Sequence, residues 1–425
     1  MSTNDSTTLK KVYLIKVEPN DNNNKFYNFI EVGDGTFRAE YGRVGGHTTV
    51  KVYSMSLWDK QYREKTSTRK GYVDKTELFE EEIISDSKLP SDKKQTLNEI
   101  TNKVVAKLVN DLRGNANVSV KQNYIVSAEK VTQKMVDEAQ VFVDEITGLI
   151  KMGQDVEPIN KLLVELFQII PRKMKNVKDY LFPGGPILDT ADELLLAQKL
   201  IGQEQSTLDV MAGQVSTNTK LDIKSAKPSE KNILESMGLI ITEAPDSDIP
   251  AILKLMGPNK DQFVRAYVVT NLKTQERFDK HILTANNKTI DIFWHGSRNE
   301  NWWSILGTGW MLRPANAVIS GKMFGYGTYW SNMFKKSLGY TSYRGSHWAK
   351  GNSDKAYLSL AAVHVGSQLK IKNHQSWCYD LTWENLQKRG KYDSLYALGG
   401  ADLINDEFII YQEPQCTIKY LIEIK

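Results

Sequence analysis

The hydrophobic period changes twice along this chain, and no other feature constrains its architecture as tightly. From Lys10 to about Glu80, strand formers come in short runs: Val12 to Ile15, Phe26 to Ile30, Thr36 to Ala39 and Thr48 to Val50. Turn residues separate them at Asp21 to Asn24, Gly33-Asp34-Gly35 and Gly45-Gly46, a spacing that predicts an antiparallel meander. Between Leu89-Pro90 and about Gly213 the period becomes helical. Leu97, Ile100, Val104, Leu108 and Leu112 make one stripe, which Gly114 is expected to close. Val131, Met135, Ala139, Phe142, Ile146 and Leu149 make a second, and Ile159, Leu162, Leu163, Leu166, Phe167 and Ile170 a third, closed by Pro171. A fourth helix is expected from the capping-box pair Thr190 and Glu193 through Leu194, Leu195 and Leu200. Gly202-Gln203-Glu204-Gln205 then interrupts its apolar stripe, which reads as a weakly held segment. Several one-sided helices in succession predict a bundle.

The polar stretch Val215 to Ser229 marks a connection, and past a short helix opening at Ser229 the strand pattern returns. Its runs are Phe263 to Val269, Ile290 to Trp294, Tyr357 to Val365, Gln368 to Ile371 and Glu407 to Tyr411. The expected fold class is therefore multidomain α+β, with a small antiparallel β-rich domain over 1–88, an α-helical bundle over 89–214 and a mixed, mainly β domain over 215–425. Trp58 and Tyr62 have the spacing of helix residues packed on the first sheet.

At 425 residues the chain exceeds one hydrophobic core, in keeping with several domains. No run approaches the ~18 apolar residues of a membrane span, and Met1 to Thr8 lacks the apolar centre of a signal peptide. An intracellular protein with no membrane partner is expected, nuclear in a eukaryote and cytoplasmic in a bacterium. Cys378 and Cys416 cannot supply a disulfide framework or a four-thiolate zinc site. The net charge of +4 is mild, but Arg38 to Lys75 holds nine Lys and Arg against four Asp and Glu, a local positive patch.

Three places carry chemistry. The apolar strand Ile292-Phe293-Trp294 runs straight into His295-Gly296-Ser297, where a glycine after the histidine lets a ligand approach the backbone. Glycines alternate with aromatics from Phe324 to Trp330, and Lys335-Lys336-Ser337-Leu338-Gly339-Tyr340 follows. Glu407 opens the last apolar strand, and alternation sets Glu407, Ile409 and Tyr411 on one face with Phe408 and Ile410 on the other. Read singly, each has a structural explanation: a strand-end histidine, core aromatics, a solvated strand end. There is no Gly-x-Ser-x-Gly elbow, Walker loop or His-Glu-x-x-His pair.

Together and in order, Phe293-Trp294-His295-Gly296-Ser297-Arg298, Phe324 to Tyr329, Ser337-Leu338-Gly339-Tyr340 and Asn405-Asp406-Glu407-Phe408 resemble the His-Tyr-Glu signature of the poly(ADP-ribose) polymerase family. The helical segment resembles that family's regulatory domain through Leu166 to Pro171 and Pro186-Ile187-Leu188. The first segment is similar to its WGR domain, with Tyr41 in Tyr41-Gly42-Arg43 standing where the family has tryptophan. The resemblance implies an ADP-ribosyltransferase that consumes NAD as substrate and needs no metal. It implies that His295, Tyr329 and Glu407 are the catalytic set, with His295 and Glu407 at the ribose hydroxyls of the nicotinamide half. Gly296 and Ser337 would bond the carboxamide, and Tyr329 and Tyr340 would flank the ring. Ser297 and Asn301 match positions on the adenosine side, and Lys336 matches a lysine near the site. Where the family carries arginine two residues after the glycine matching Gly309, this chain has Met311. The loop from Gly399 to Ile404 is short for the family.

Such a site makes chemical sense. Breaking the glycosidic bond leaves an oxocarbenium-like sugar beside a neutral leaving group, so orientation, aromatic walls and one well-placed negative charge suffice. The resemblance also implies activation by DNA strand breaks, 5′-phosphorylated ones above all, through Tyr41, Gly42 and Arg43, and transfer to protein acceptors including the chain itself. Alternatives are a mono-ADP-ribosyltransferase of protein or DNA ends, a DNA-end-binding scaffold with little catalysis, and an NAD glycohydrolase. For Arg43, a solvated turn arginine is the plainer reading of the residue alone.

Overall fold

Strand formers at the front of the chain pair as their turns dictate. The computed structural model describes residues 9–79, 98–124, 131–151, 155–183, 191–218, 232–312 and 323–425. β1 (Lys11–Glu18), β2 (Asn23–Glu31), β3 (Thr36–Arg43) and β4 (Thr48–Ser54) form an antiparallel meander. After α1 (Trp58–Thr66), the two-residue β5 (Val73–Asp74) joins the far edge, for the order β4-β3-β2-β1-β5. Alternation sends Leu14, Phe29, Phe37 and Ala39 into one cluster with Trp58. The Trp58 ring lies 5.4 Å from Phe29 and 5.0 Å from Phe37, so it is the core residue its helical spacing predicts, and Tyr62 packs on the same cluster.

Among the described residues four long helices follow: α2 (Lys103–Asn123), α3 (Gln133–Lys151), α4 (Val156–Ile169) and α5 (Ala191–Asn218). The Asn102 carboxamide accepts from the N–H groups of Val104 and Val105 at 2.9 and 3.1 Å and so starts α2, after Ile100 rather than before it. Gly114 does not close this helix, which runs on to Asn123. One glycine costs only ~1 kcal/mol in a helix, and the buried stripe continues past it through Ala116 and Val120. On α3, Met135, Ala139 and Ile146 are buried as expected and Val136, Val143 and Ile150 join them, while Phe142 and Leu149 are partly exposed. α4 ends at Ile169, before Pro171. Leu97, Pro186-Ile187-Leu188, Thr190, the 88/89 boundary and residues 219–231 of the connection lie outside the described residues.

The chain divides into two units, residues 1–95 with 119–211 and residues 96–118 with 212–425. In the first, the polar run on α5 is not a loosely held segment. Glu204 and Gln205 are 8% and 3% exposed. Glu204 accepts from the Tyr124 hydroxyl at 2.7 Å and pairs with Arg172, whose guanidinium lies over the rings of Tyr124, Phe167 and Tyr180. Gln205 exchanges hydrogen bonds with the Gln140 carboxamide at 2.8 and 2.9 Å and donates to Asp209. Helix periodicity counts these residues as polar, whereas their partners on α3 and around Arg172 make the layer an internal network.

In the second unit, α6 (Ile233–Met237) leads into β6 (Leu239–Glu243), α7 (Ile249–Met256), β7 (Phe263–Asn271), α8 (Leu272–Thr284), β8 (Ile290–Gly296) and α9 (Trp302–Thr308). Then come β9 (Thr328–Trp330), α10 (Phe334–Leu338), β10 (Ala356–His364), β11 (Gln368–Ile371), α11 (Trp383–Gly390), β12 (Ser394–Ala397), β13 (Glu407–Ile410) and β14 (Cys416–Ile424). Two sheets result, β6-β7-β14-β10-β8 and β11-β12-β13-β9, antiparallel except where β11 runs parallel to β12. β10 is buried over its whole length. Val105, Leu108, Val109 and Leu112 of α2 belong to the same apolar cluster as Trp302, Trp303, Trp310, Phe408 and Ile410.

Removing one partner of a buried ion pair typically costs about 3–5 kcal/mol, whereas replacing both with apolar residues costs far less. Glu204→Ala should therefore lower the unfolding free energy by about that amount in urea titrations followed by circular dichroism. The double variant Arg172→Leu/Glu204→Leu should recover most of the loss. An Ala variant as stable as the parent would contradict the network's structural role.

Candidate active site

The apolar run before His295 makes β8 a strand of the first sheet, and its end is stitched to the second sheet. Trp294 N–H donates to the Ser331 carbonyl at 2.8 Å and Ser331 N–H returns the bond to Trp294 at 3.1 Å. This bridge sets the ends of β8 and β9 side by side. His295 Nδ1 consequently lies 3.1 Å from the Tyr329 carbonyl oxygen. A carbonyl can only accept, so Nδ1 carries the proton and Nε2 of the neutral ring is an acceptor. The rings of Trp310 and Trp330 stand 5.6 and 5.3 Å from the imidazole. Burial among them lowers the His295 pKa to about 4, against the partial compensation of the Tyr329 carbonyl.

At the next residue two backbones meet. A Cβ on Gly296 would come within 1.8 Å of the Ser337 carbonyl oxygen, so only glycine lets α10 lie against the end of β8. That one-turn helix carries Lys336 and Ser337, and Tyr340 follows it. Ser337 is buried. On the far side, β13 runs antiparallel between β12 and β9, with Phe408 opposite Trp330 and Ile409 opposite Tyr329. Its faces divide as alternation predicts: Ile409 and Tyr411 join the cluster of Phe324 and Leu381, while Phe408 and Ile410 join that of Trp302 and Phe293. Glu407 at its mouth forms a 2.7 Å ion pair with Lys336, both side chains 12% exposed. The Lys336 ammonium also donates to the carbonyls of Asp406 and Asn405 at 3.1 and 3.2 Å, so its position is set by three acceptors. Asp406 in turn accepts from the Tyr396 hydroxyl at 2.6 Å and the Gly399 N–H at 2.8 Å, which keep its carboxyl below the usual range.

Tyr329 and Tyr340 both feel the Glu407 charge. Burial first, then Glu407, pushes the Tyr340 phenol up to about 12, and burial likewise raises Tyr329. The Tyr329 hydroxyl is engaged in the turn before it, accepting from Phe324 N–H and donating to the Gly325 carbonyl, both at 3.0 Å. Asn301 donates to the Ser297 hydroxyl at 3.0 Å. His295, Gly296, Tyr329, Lys336, Ser337, Tyr340 and Glu407 are thus joined by direct contacts or shared electrostatics, with the Ser297–Asn301 pair leading away from Gly296. Trp310 and Trp330, which enclose His295, carried no sequence signal beyond being aromatic near glycine.

Tyr41, Gly42 and Arg43 sit at the end of β3 in the first unit. The Tyr41 ring stacks on Tyr27 at 4.9 Å and 6°. The His47 carbonyl would lie 2.3 Å from a Cβ on Gly42, so the turn after β3 needs glycine there. Arg43 is not a solvated arginine. Its guanidinium donates to the Met174 and Lys175 carbonyls and to the Asn22 carbonyl and side chain, engaging at least four of its five N–H groups.

Comparison with known proteins finds that residues 254–425 match the family described as the poly(ADP-ribose) polymerase catalytic domain. The chain is 34% identical over 166 residues to the putative poly [ADP-ribose] polymerase-like protein 100L of Invertebrate iridescent virus 6, covering 38% of this chain and 84% of that protein. It is 33% identical over 211 residues to uncharacterized protein 101L of the same virus, 50% of this chain and 80% of that one. Poly [ADP-ribose] polymerase 2 of Zea mays is 27% identical over 183 residues, 38% of this chain and 27% of its own length.

The lowered pKa of His295 fixes the sign of a pH effect. Between 6.5 and about 4 the unfolded ring binds a proton and the native ring does not, so the stability present above pH 6.5 is lost as pH falls through that window. A proton NMR titration should show one histidine, absent from His295→Gln, that stays neutral throughout the range from pH 8 to pH 5.5. A midpoint near 6.5 for that resonance would contradict the burial account.

Proposed function

Because the chain belongs to the poly(ADP-ribose) polymerase family and is an NAD-dependent ADP-ribosyltransferase, we propose that it extends poly(ADP-ribose) on protein acceptors, itself included, when it meets DNA breaks bearing a 5′-phosphate. The Glu407–Lys336 pair beside Tyr340 and Tyr329 carries this reading. A neutral His295 offers Nε2 to a ribose hydroxyl of NAD, and Glu407 takes the adjacent hydroxyl. Gly296 and Ser337 hold the carboxamide, and Tyr329 and Tyr340 flank the nicotinamide. Ser297 and Asn301 face the adenosine half. The glycosidic carbon–nitrogen bond then breaks with its electron pair leaving on nicotinamide, and the fixed carboxylate stabilises the cationic sugar. An acceptor oxygen closes on that carbon to form the new carbon–oxygen bond; when the acceptor is a ribose hydroxyl, Glu407 polarises it and its proton passes to solvent. Lys336, held by two carbonyls, keeps the carboxylate aimed.

DNA sensing belongs to residues 1–88 in this reading, regulation to 89–214 and transfer to 215–425. The positive patch of the first segment presents Lys51, Lys60, Arg63 and Arg69 as exposed side chains. Tyr41, Gly42 and Arg43 lie at the strand end that meets DNA, and Arg43, tied to the 172–176 turn by its guanidinium, passes DNA occupancy on to the helices. Restraint of the site is supported by two contacts with α9 and the strands around it. A Cβ on Gly213 of α5 would lie 1.6 Å from Ser304 Oγ, so α5 crosses α9 at closest approach. Asp111 of α2 pairs with Lys355 at 2.7 Å, just ahead of β10.

One gel tests the proposal. With labelled NAD and the parent protein, nicked DNA carrying a 5′-phosphate should produce a smear of polymer, and Glu407→Gln should shorten it to a sharp band with elongation reduced ~10²-fold or more. A DNA-independent band in the parent would overturn activation by breaks. Unchanged product length in the variant would overturn the role of Glu407.

A further inference from the structure

The segment after Tyr340 builds a second aromatic layer. Residues 342–354 fold into an ordered loop: Ser353 N–H donates to the Ser342 carbonyl at 2.9 Å, Arg344 N–H to the Ser353 carbonyl at 2.7 Å, and Gly351 N–H to Ser346 Oγ at 2.7 Å. An Arg344–Asp354 ion pair of 2.7 Å spans its mouth. The loop is fastened to both arms of the candidate active site. On one arm, the N–H groups of Trp348 and Ala349 converge on the Gly339 carbonyl at 2.9 and 3.0 Å. On the other, Arg298 donates to the Ala349 carbonyl at 3.4 Å and Asn299 N–H to Ser342 Oγ at 2.9 Å.

These bonds set the Trp348 indole parallel to the Tyr340 ring, with centroids 6.1 Å apart and planes 18° apart, an offset stack. Trp348 is 62% exposed, far more than the packing of a core requires. Tyr340 itself is 41% exposed and lies beyond the last residue of α10, so its helix alone does not hold the ring. A large apolar ring kept at the surface by two backbone bonds, with its flat side on a tyrosine of the site, covers one face of that tyrosine, so that a planar ligand stacking on it would take the opposite face.

We infer that Trp348 is a positioning residue that holds Tyr340 flat for the nicotinamide ring of NAD. The inference rests on the proposed place of Tyr340 beside that ring. Trp348 touches no reacting atom, so its loss should weaken binding of the planar ring and leave the bond-breaking step alone.

The test compares Trp348→Ala, Trp348→Phe and Tyr340→Ala in the full chain, measuring nicotinamide release for kcat and KM and inhibition by benzamide, an uncharged planar mimic of the leaving group. For Trp348→Ala, KM for NAD and the benzamide inhibition constant should each rise by roughly five-fold, within the range a stacked aromatic pair supports, with kcat within about two-fold of the parent. Trp348→Phe should restore most of both. A fall in kcat with KM and benzamide inhibition unchanged would overturn the proposal. So would parent-like constants in Trp348→Ala beside a large loss in Tyr340→Ala, which would leave the role of Tyr340 standing. Parent-like binding in both alanine variants would overturn the placement of Tyr340 and the inference with it.

Discussion

Everything at the candidate active site depends on a side chain that is missing. Position 296 ends β8, and its α-carbon lies where any Cβ would run into the Ser337 carbonyl oxygen at 1.8 Å. Backbone cannot move aside as the end of a flexible side chain can. Glycine therefore lets a strand of one sheet and the one-turn helix α10 share a single patch of space, and the functional groups follow from that meeting. His295 arrives on the strand, Lys336, Ser337 and Tyr340 arrive on or just after the helix, and Lys336 reaches Glu407 across the gap. The Trp294–Ser331 bridge performs the same service between the two sheets, placing Tyr329 beside His295.

Electrostatics then divides labour between two groups of opposite character. Aromatic burial keeps His295 neutral, with its proton pinned on Nδ1, which suits it to accept a hydrogen bond rather than to carry charge. Glu407 supplies the negative charge, and its partner Lys336 is itself braced by carbonyls, so the pair is oriented on both sides. A carboxylate fixed in a partly buried site stabilises positive charge developing near it more effectively than a mobile one in water. The ordered loop under Trp348 and the Asp406 contacts with Tyr396 and Gly399 extend this bracing outward.

Much of this was legible in the residues. Period-two alternation identified the meander and the two faces of β13, because a strand between two apolar clusters cannot disguise which side each residue serves. The strand running into His295-Gly296 suggested room for a ligand at the backbone, whereas the group that needs the absent Cβ is the Ser337 carbonyl. What stayed hidden depends on partners distant in sequence. Gly114 looked like a helix end, yet the stripe beyond it through Ala116 and Val120 carries α2 onward. Glu204 and Gln205 looked like a break in an apolar face, because nothing near them in sequence announces Arg172, Tyr124 or Gln140. Arg43 looked either solvated or free for phosphate, and two of the carbonyls that engage it, those of Met174 and Lys175, come from residues far away in sequence. Trp310, Trp330 and Trp348 were aromatic letters whose neighbours only the fold could assign.

The contact at position 296 decides whether the site assembles. Steady-state nicotinamide release by Gly296→Ala, with circular dichroism and melting temperature measured on the same sample, addresses it directly. Displacements of about 1 Å at a reacting centre cost on the order of 10²-fold in rate, so kcat/KM should fall by about that factor while the spectrum of the folded chain is kept. A variant with the parent's kcat/KM would contradict the claim that this backbone contact assembles the site.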